Sequence, residues 1–329
     1  MAFDTLLLIG LALGFAFLNG LHDAANSIAT VVSTHVLSAR TAVLWAAFFN
    51  FIAFFFFGFR VAENVGKGII DVAVIDGALI LSALVGACGW DIVTWYFGLP
   101  TSSSHALIGG MVGAALVKAG PRALVWTGVG KTAAFILISP AAGLLLGLVL
   151  ALAISWLFRR RSPANTDRLF RGGQVVSAAA YSLGHGGNDA QKTMGIVAGL
   201  LFSRGLVGDN LLLPPSLAAL CYGALALGTL CGGWRIVKTM GQKVTKLRPM
   251  DGFSVEMAAA ATLFATAAMG APVSTTQTTT GALAGVGTVR RVSAVRWGVM
   301  RRIAWAWVLT IPCSALLAAF ASLLCRRFF

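Results

Sequence analysis

Long apolar runs, broken by short polar islands, fill this chain from end to end. The run from Thr132 to Phe158, TAAFILISPAAGLLLGLVLALAISWLF, exceeds the roughly 20 apolar residues that a helix needs to cross a bilayer. Similar runs recur to the C-terminus, so a leader peptide accounts for at most the first of them. The apolar and polar residues do not alternate with period two, which excludes a membrane barrel. The pattern predicts an all-α polytopic membrane protein. Against that background one stretch stands out. YSLGHGGNDAQKTMG, Tyr181 to Gly195, sets Asn188, Asp189, Gln191 and Lys192 within five positions between the apolar VVSAAA and MGIVAGLL. A charge at the bilayer centre costs about 2.5–3.5 kcal/mol on insertion scales, so such residues are expected to face a functional interior.

The polar islands come in pairs. GLPTSSSHALIGGMVGA begins at Gly98 and GAPVSTTQTTTGALAGVG at Gly270; aligned on Pro100 and Pro272, they share the hydroxyl run and the glycines Gly109/Gly281 and Gly113/Gly285. NGLHDAANSIAT from Asn19 and HGGNDAQKTMG from His185 match as Gly20/Gly186, His22/Asn188, Asp23/Asp189 and Asn26/Lys192. The spacings are 166 residues (Asp23 to Asp189) and 172 residues (Pro100 to Pro272), in the same order in each half. A duplicated chain follows, with a first repeat over 1–158, a basic linker over 159–173 and a second repeat over 174–329.

Charge sets the orientation. The three densest basic segments, Arg159–Arg171, Arg235–Arg248 and Arg290–Arg302, each carry five Lys or Arg, and the bias of such loops to the cytoplasm places them inside. The first-half counterparts of the latter two, Arg60–Asp76 and Lys118–Lys131, then lie outside, and the repeats are inverted in topology. Arg326 and Arg327 fall outside in this arrangement, against the bias. Composition agrees with the class: 58% of the 329 residues are hydrophobic and 11% charged, against about a quarter charged in soluble domains. The net charge of +14 is absorbed by these loops, so no nucleic-acid partner is implied. Cys88, Cys221, Cys231, Cys313 and Cys325 sit in apolar context without a C-x-x-C pair, and read as buried spectators.

Inverted repeats with broken helices and re-entrant half-helix hairpins form a transporter architecture, with the substrate site near the midplane. In each proline motif, Pro and the following Ser or Thr are helix-starting residues. The half-helix ends would offer free N–H groups and the positive end of the dipole to an anion. Thr101, Ser102, Ser103 and Ser104, with Ser274, Thr275, Thr276 and Gln277, add donors that suit a tetrahedral oxyanion; Gln191 and Lys192 join them as substrate-binding residues. The alternative is that these hydroxyls bond only to their own helices. The two Asp motifs are expected to break their helices at the midplane. Asp23 and Asp189, with Asn26 and Asn188, supply hard oxygens for sodium, or carry a proton with His22; a structural Asp189–Lys192 pair is the other reading. His105, Asp91 and Glu256 form a second tier. No cofactor is expected.

At these residues the chain resembles the PiT family of inorganic phosphate transporters, through GLHDAAN, GGNDAQK, PTSSSH and PVSTTQ. The resemblance spans nearly the whole chain and implies symport of phosphate with sodium or protons by alternating access, in a multi-pass protein of the inner (cytoplasmic) membrane. Its partners would be phosphate, the coupling ion, the lipid bilayer and, as one assembly state, a second copy in a homodimer. His22 and Gln277 depart from the family's usual Asn and His. Another oxyanion such as sulfate is the alternative substrate. An intramembrane hydrolase built on SSSH is disfavoured, because Gln277 replaces the base in the equivalent motif. GVGKT (Gly128 to Thr132) lacks the first glycine of a P-loop, which would fall at Val125, so transport is expected to be secondary.

Overall fold

The computed structural model describes residues 3–208, 212–271 and 273–328, with the side chains of 66, 67 and 326–328 left out. Pro272, and the side chains of Lys67, Arg326 and Arg327, therefore lie outside the described residues. Among them, twelve α-helices carry the fold. The first half holds α1 (Phe3–Ser33), α2 (Ala39–Ile52), α3 (Arg60–Gly68), α4 (Gly77–Phe97), α5 (Ser103–Ala119) and α6 (Trp126–Leu157). The second holds α7 (Pro163–Ser203), α8 (Pro215–Cys231), α9 (Trp234–Lys238), α10 (Pro249–Ala268), α11 (Thr275–Arg290) and α12 (Trp297–Phe328). α9 runs on into a π-helical turn, Thr239–Val244. The two halves thus repeat one element order. Four described helices are long and apolar enough to cross a membrane, five with the bent α8–α9 pair; α7 fails that test because of its polar residues.

Surface pairs fix the helix directions. Asp4, at the start of α1, pairs with Arg204 just after α7, and Arg171, near the start of α7, donates to the carbonyl of His35 just after α1 at 2.8 Å. α1 and α7 are therefore antiparallel. On the Asp4 face, Asp76 before α4 pairs with Lys118 at the end of α5 at 2.5 Å. On the opposite face, Asp251 at the start of α10 pairs with Arg290 at the end of α11. So α4–α5 is a hairpin entering from one face, and α10–α11 a hairpin entering from the other.

Glycine decides how these hairpins are held. Each half-helix packs on the last helix of the opposite half, α11 on α6 and α5 on α12. A Cβ at Gly281 would stand 2.1 Å from the Pro140 carbonyl oxygen and one at Gly285 2.1 Å from that of Leu144; at Gly113 it would stand 2.1 Å from that of Ala315. Backbone-to-backbone contact of this kind is available only to glycine, and small residues are what let membrane helices approach. The shared glycines of the proline motifs are therefore packing residues. Gly281→Val is expected to destabilise the protein by about 2 kcal/mol or more through overpacking, lowering the thermal midpoint in detergent. Gly10→Ala, where a Cβ meets nothing within 4 Å, is expected to leave it unchanged or raised.

Two sequence expectations change. The Asp motifs do not break their helices: α1 and α7 run unbroken through GLHDAAN and GGNDAQK. The interruptions fall in the second span of each half, at residues 56–59 between α2 and α3 and at Gly232–Gly233, where α8 and α9 meet at 60°. Pro100 is also not the first helical residue of its motif. Ser102 caps α5, its hydroxyl accepting from His105 N at 3.2 Å, and Ser274 caps α11 in the same way from Gln277 N at 3.2 Å. Pro100 lies two residues outside its cap, its carbonyl accepting from Trp307 Nε1 on α12 at 3.0 Å.

Candidate functional site

The starts of α5 and α11 meet the middles of α1 and α7 in the protein's interior. Every polar residue there is buried: Asp23 and Asn26 are 2% exposed and Asp189 is 0%. An unbroken helix satisfies its own backbone, so α1 and α7 can carry these side chains at membrane depth without exposing peptide groups to lipid. The unpaired first-turn N–H groups are supplied instead by the half-helices.

The arrangement has approximate twofold character. Asp23 Oδ1 accepts from Thr276 Oγ1 at 3.1 Å, and the same hydroxyl accepts from Asn26 Nδ2 at 2.7 Å. On the other side Lys192 Nζ is 2.5 Å from Asp189 Oδ1, donates to Ser104 Oγ, and donates to the Val273 carbonyl at 2.9 Å. Thr275 joins the sides, its hydroxyl 3.3 Å from Asp23 Oδ2 and 3.4 Å from Asp189 Oδ2. His105 Nδ1 and Gln277 Nε2, at equivalent motif positions, lie 3.4 Å apart. Carboxylate atoms of Asp23 and Asp189 and a ring nitrogen of His185 all fall within 4.8 Å of one another. Such a cluster of hard oxygens suits a small cation.

Several buried polar atoms here make no hydrogen bond: His105 Nε2, Gln277 Oε1, Asn26 Oδ1 and both side-chain polar atoms of Asn19. Buried polar atoms are normally paired, so these are the atoms of this region open to a polar partner.

Other expected residues serve elsewhere. Gln191 accepts from the backbone N–H groups of Val61 and Ala62 at 2.9 and 3.3 Å and donates to the Gly187 carbonyl at 2.6 Å. It caps the start of α3 and does not face the centre. Asn188 spends its amide on the carbonyls of Gly184 and Leu263, at 2.8 and 3.1 Å. All three Lys192 protons are committed to the chain's own oxygens. Thr101 lies 3.3 Å from His22 Nε2 and donates to Thr94 at 2.9 Å, while His22 Nδ1 stands 2.9 Å from Asp23 Oδ1. Asp91, on α4, is buried beside His22 at a cavity of about 90 Å³ and faces the Ser103 hydroxyl. Glu256, on α10, lies apart in a network with Thr30 (2.5 Å), Gln174 (3.0 Å) and Ser177.

Sequence reasoning missed His185, whose Nε2 is 3.2 Å from Asp189 Oδ2, and Asn50, 3.1 Å from His185 Nδ1. It also missed Asn19. His185 and Asn19 each stand four residues before a motif aspartate, on the same helical face, and that spacing was available. Nothing in the sequence pointed to Asn50.

Known proteins share this design. The chain is 59% identical over 320 residues to a protein of Rhizobium meliloti (strain 1021) named "Probable low-affinity inorganic phosphate transporter", covering 97% of this chain and 96% of that one. It is 40% identical over 328 residues to a protein of the same name from Bacillus subtilis (strain 168), covering 99% and 98%. A solved structure described as the sodium-dependent phosphate transporter superposes with a TM-score of 0.92 at 25% identity, over 100% of both chains. The phosphate transporter family matches residues 19–318, and with motifs, fold and buried site in agreement the chain belongs to that family.

Proposed function

We propose that this protein is a secondary symporter that moves inorganic phosphate across the inner (cytoplasmic) membrane with a small cation, sodium or a proton, by alternating access. The observation that carries the reading is the meeting of two Ser-capped half-helix starts with two buried carboxylates. The half-helix ends favour the anion, with Ser103, Thr275 and the first-turn N–H groups as donors. The Asp23 side, with Asn26 and Thr276, favours the cation. Sodium suits its oxygens, and the solved relative is a sodium-dependent transporter. The proton reading has its own support, because His22 contacts Asp23 directly and imidazole titrates near neutral pH. Weak phosphate affinity follows the names of the curated relatives and the scarcity of free cationic side chains at the centre.

The two repeats read as inverted in the membrane, since α1 opposes α7 and the two hairpins enter from opposite faces. The face of Arg159–Arg171 and Arg290–Arg302 is then cytoplasmic. On the other face a cavity of about 410 Å³, lined by Asn64, Lys131, Thr132, Met269, Gly270 and Ala271, reaches the tip of the α10–α11 hairpin. Lys131 gives this approach a positive wall. Movement of that tip relative to α7 is the proposed gate between cavity and site.

Radiolabelled phosphate uptake into proteoliposomes, with sodium and pH gradients varied separately, tests the reading. One of the two gradients is expected to drive accumulation above equilibrium, with sulfate competing poorly. Uptake that ignores both gradients would remove the symport mechanism.

A further inference from the structure

The duplication allows the two sides of the site to be compared residue by residue. Asp23 corresponds to Asp189, Asn26 to Lys192 and Asn19 to His185 at a spacing of 166; Ser104 corresponds to Thr276 at 172. Each side is thus a carboxylate from a long helix, a hydroxyl from the opposite half's half-helix, and a third residue one turn along. On the first side that third residue is neutral Asn26, whose Oδ1 is buried without a hydrogen bond, as is Asn19 Oδ1. On the second side it is Lys192. Its Nζ sits among Asp189 Oδ1 at 2.5 Å, Ser104 Oγ and the Val273 carbonyl at 2.9 Å.

A carboxylate, a hydroxyl and a backbone carbonyl form the kind of oxygen set that holds a monovalent cation. An ammonium has three N–H donors and one positive charge, so it satisfies the same three oxygens with the same charge. Resting on the symport reading above, we propose that the Lys192 ammonium is a tethered cation that permanently fills the second of two pseudo-equivalent cation positions. Only the Asp23 side then takes an exchangeable ion, and each phosphate travels with one coupling ion where the duplicated architecture has places for two. Lys192 sets stoichiometry; it does not hold the substrate. Its three bonds leave the ammonium no donor for phosphate, and its pairing with Asp189 withdraws that carboxylate from ion exchange.

The test is a static-head measurement in proteoliposomes held at zero membrane potential, loaded with inorganic phosphate at a tenfold outward gradient. Sodium or pH gradients are titrated until net phosphate flux vanishes. For wild-type protein a driving gradient of about tenfold is expected to balance the flux, as one ion per phosphate requires, whereas two would need about threefold. Lys192→Asn, which copies Asn26, is expected to move the balance point toward threefold and to make the rate sigmoidal in sodium concentration. A wild-type balance point near threefold overturns the proposal while leaving symport intact, and needs no variant to fold. So does an active Lys192→Asn protein that still balances at tenfold. Failure of both sodium and pH gradients to drive wild-type uptake overturns the symport reading itself, and this inference with it.

Discussion

Asp23→Asn is expected to abolish gradient-driven phosphate accumulation, a loss of at least about tenfold, while the protein still folds and inserts. The physical cause is local. Asp23, unlike Asp189, has no lysine partner; its neighbours Asn26 and Thr276 are neutral, and His22 Nδ1 stands 2.9 Å from its Oδ1. An amide of the same shape keeps a hydrogen-bond partner for Thr276 but gives the driving ion no anionic ligand. Asp189→Asn should behave differently. That carboxylate balances Lys192 at 2.5 Å, and removing one member of a buried ion pair costs about 3–5 kcal/mol because the other charge is left uncompensated. The motif alone predicts equal tolerance in both variants; the geometry predicts a larger drop in thermal midpoint in detergent for Asp189→Asn, which strands a buried lysine, than for Asp23→Asn. Uptake assays with each variant, alongside thermal unfolding, separate the two effects. Full gradient-driven uptake by Asp23→Asn would remove the cation role from this side of the site.

Ser103→Ala and Thr275→Ala are each expected to raise the phosphate concentration for half-maximal uptake about tenfold or more. A hydrogen bond to a charged group contributes about 1.5–3 kcal/mol. Ser103 gives the cleaner result, because its hydroxyl is buried and, unlike that of Thr275, bonds to neither Asp23 nor Asp189; within the protein it faces Asp91. Thr275 also reaches both aspartates, so its variant should shift cation dependence as well. Unchanged phosphate dependence in both variants, with normal thermal midpoints, would remove the anion role from the half-helix starts.

Much of the design is readable from residue types. The 166- and 172-residue spacings place the two halves, and the hydroxyl runs mark both half-helix starts, with Ser102 and Ser274 as caps. The unbroken course of α1 and α7 was not readable. Polar, glycine-containing segments at membrane depth look like breaks. Yet Gly20 and Gly186 serve close packing instead: a Cβ at Gly20 would stand 2.0 Å from the Leu225 carbonyl oxygen and one at Gly186 2.4 Å from that of Asn50. Gln191 looks like a ligand in the motif, and only the position of α3 shows that its amide caps another helix.

Sequence by itself determined the class and the chemical inventory, because hydropathy and residue type are local or one-dimensional properties. It also determined that two acids would be buried, since nothing in their flanks could carry them to water. Tertiary structure decided how that inventory is shared out. Whether Lys192 also reaches Ser104, whether Thr275 bridges two carboxylates, and whether His22 meets Thr94 depend on contacts of about 3 Å between residues 72 to 252 positions apart in the chain. Hydrogen bonds form only within narrow distance and angle limits, so roles that the motifs leave symmetric become distinct only when both halves pack together.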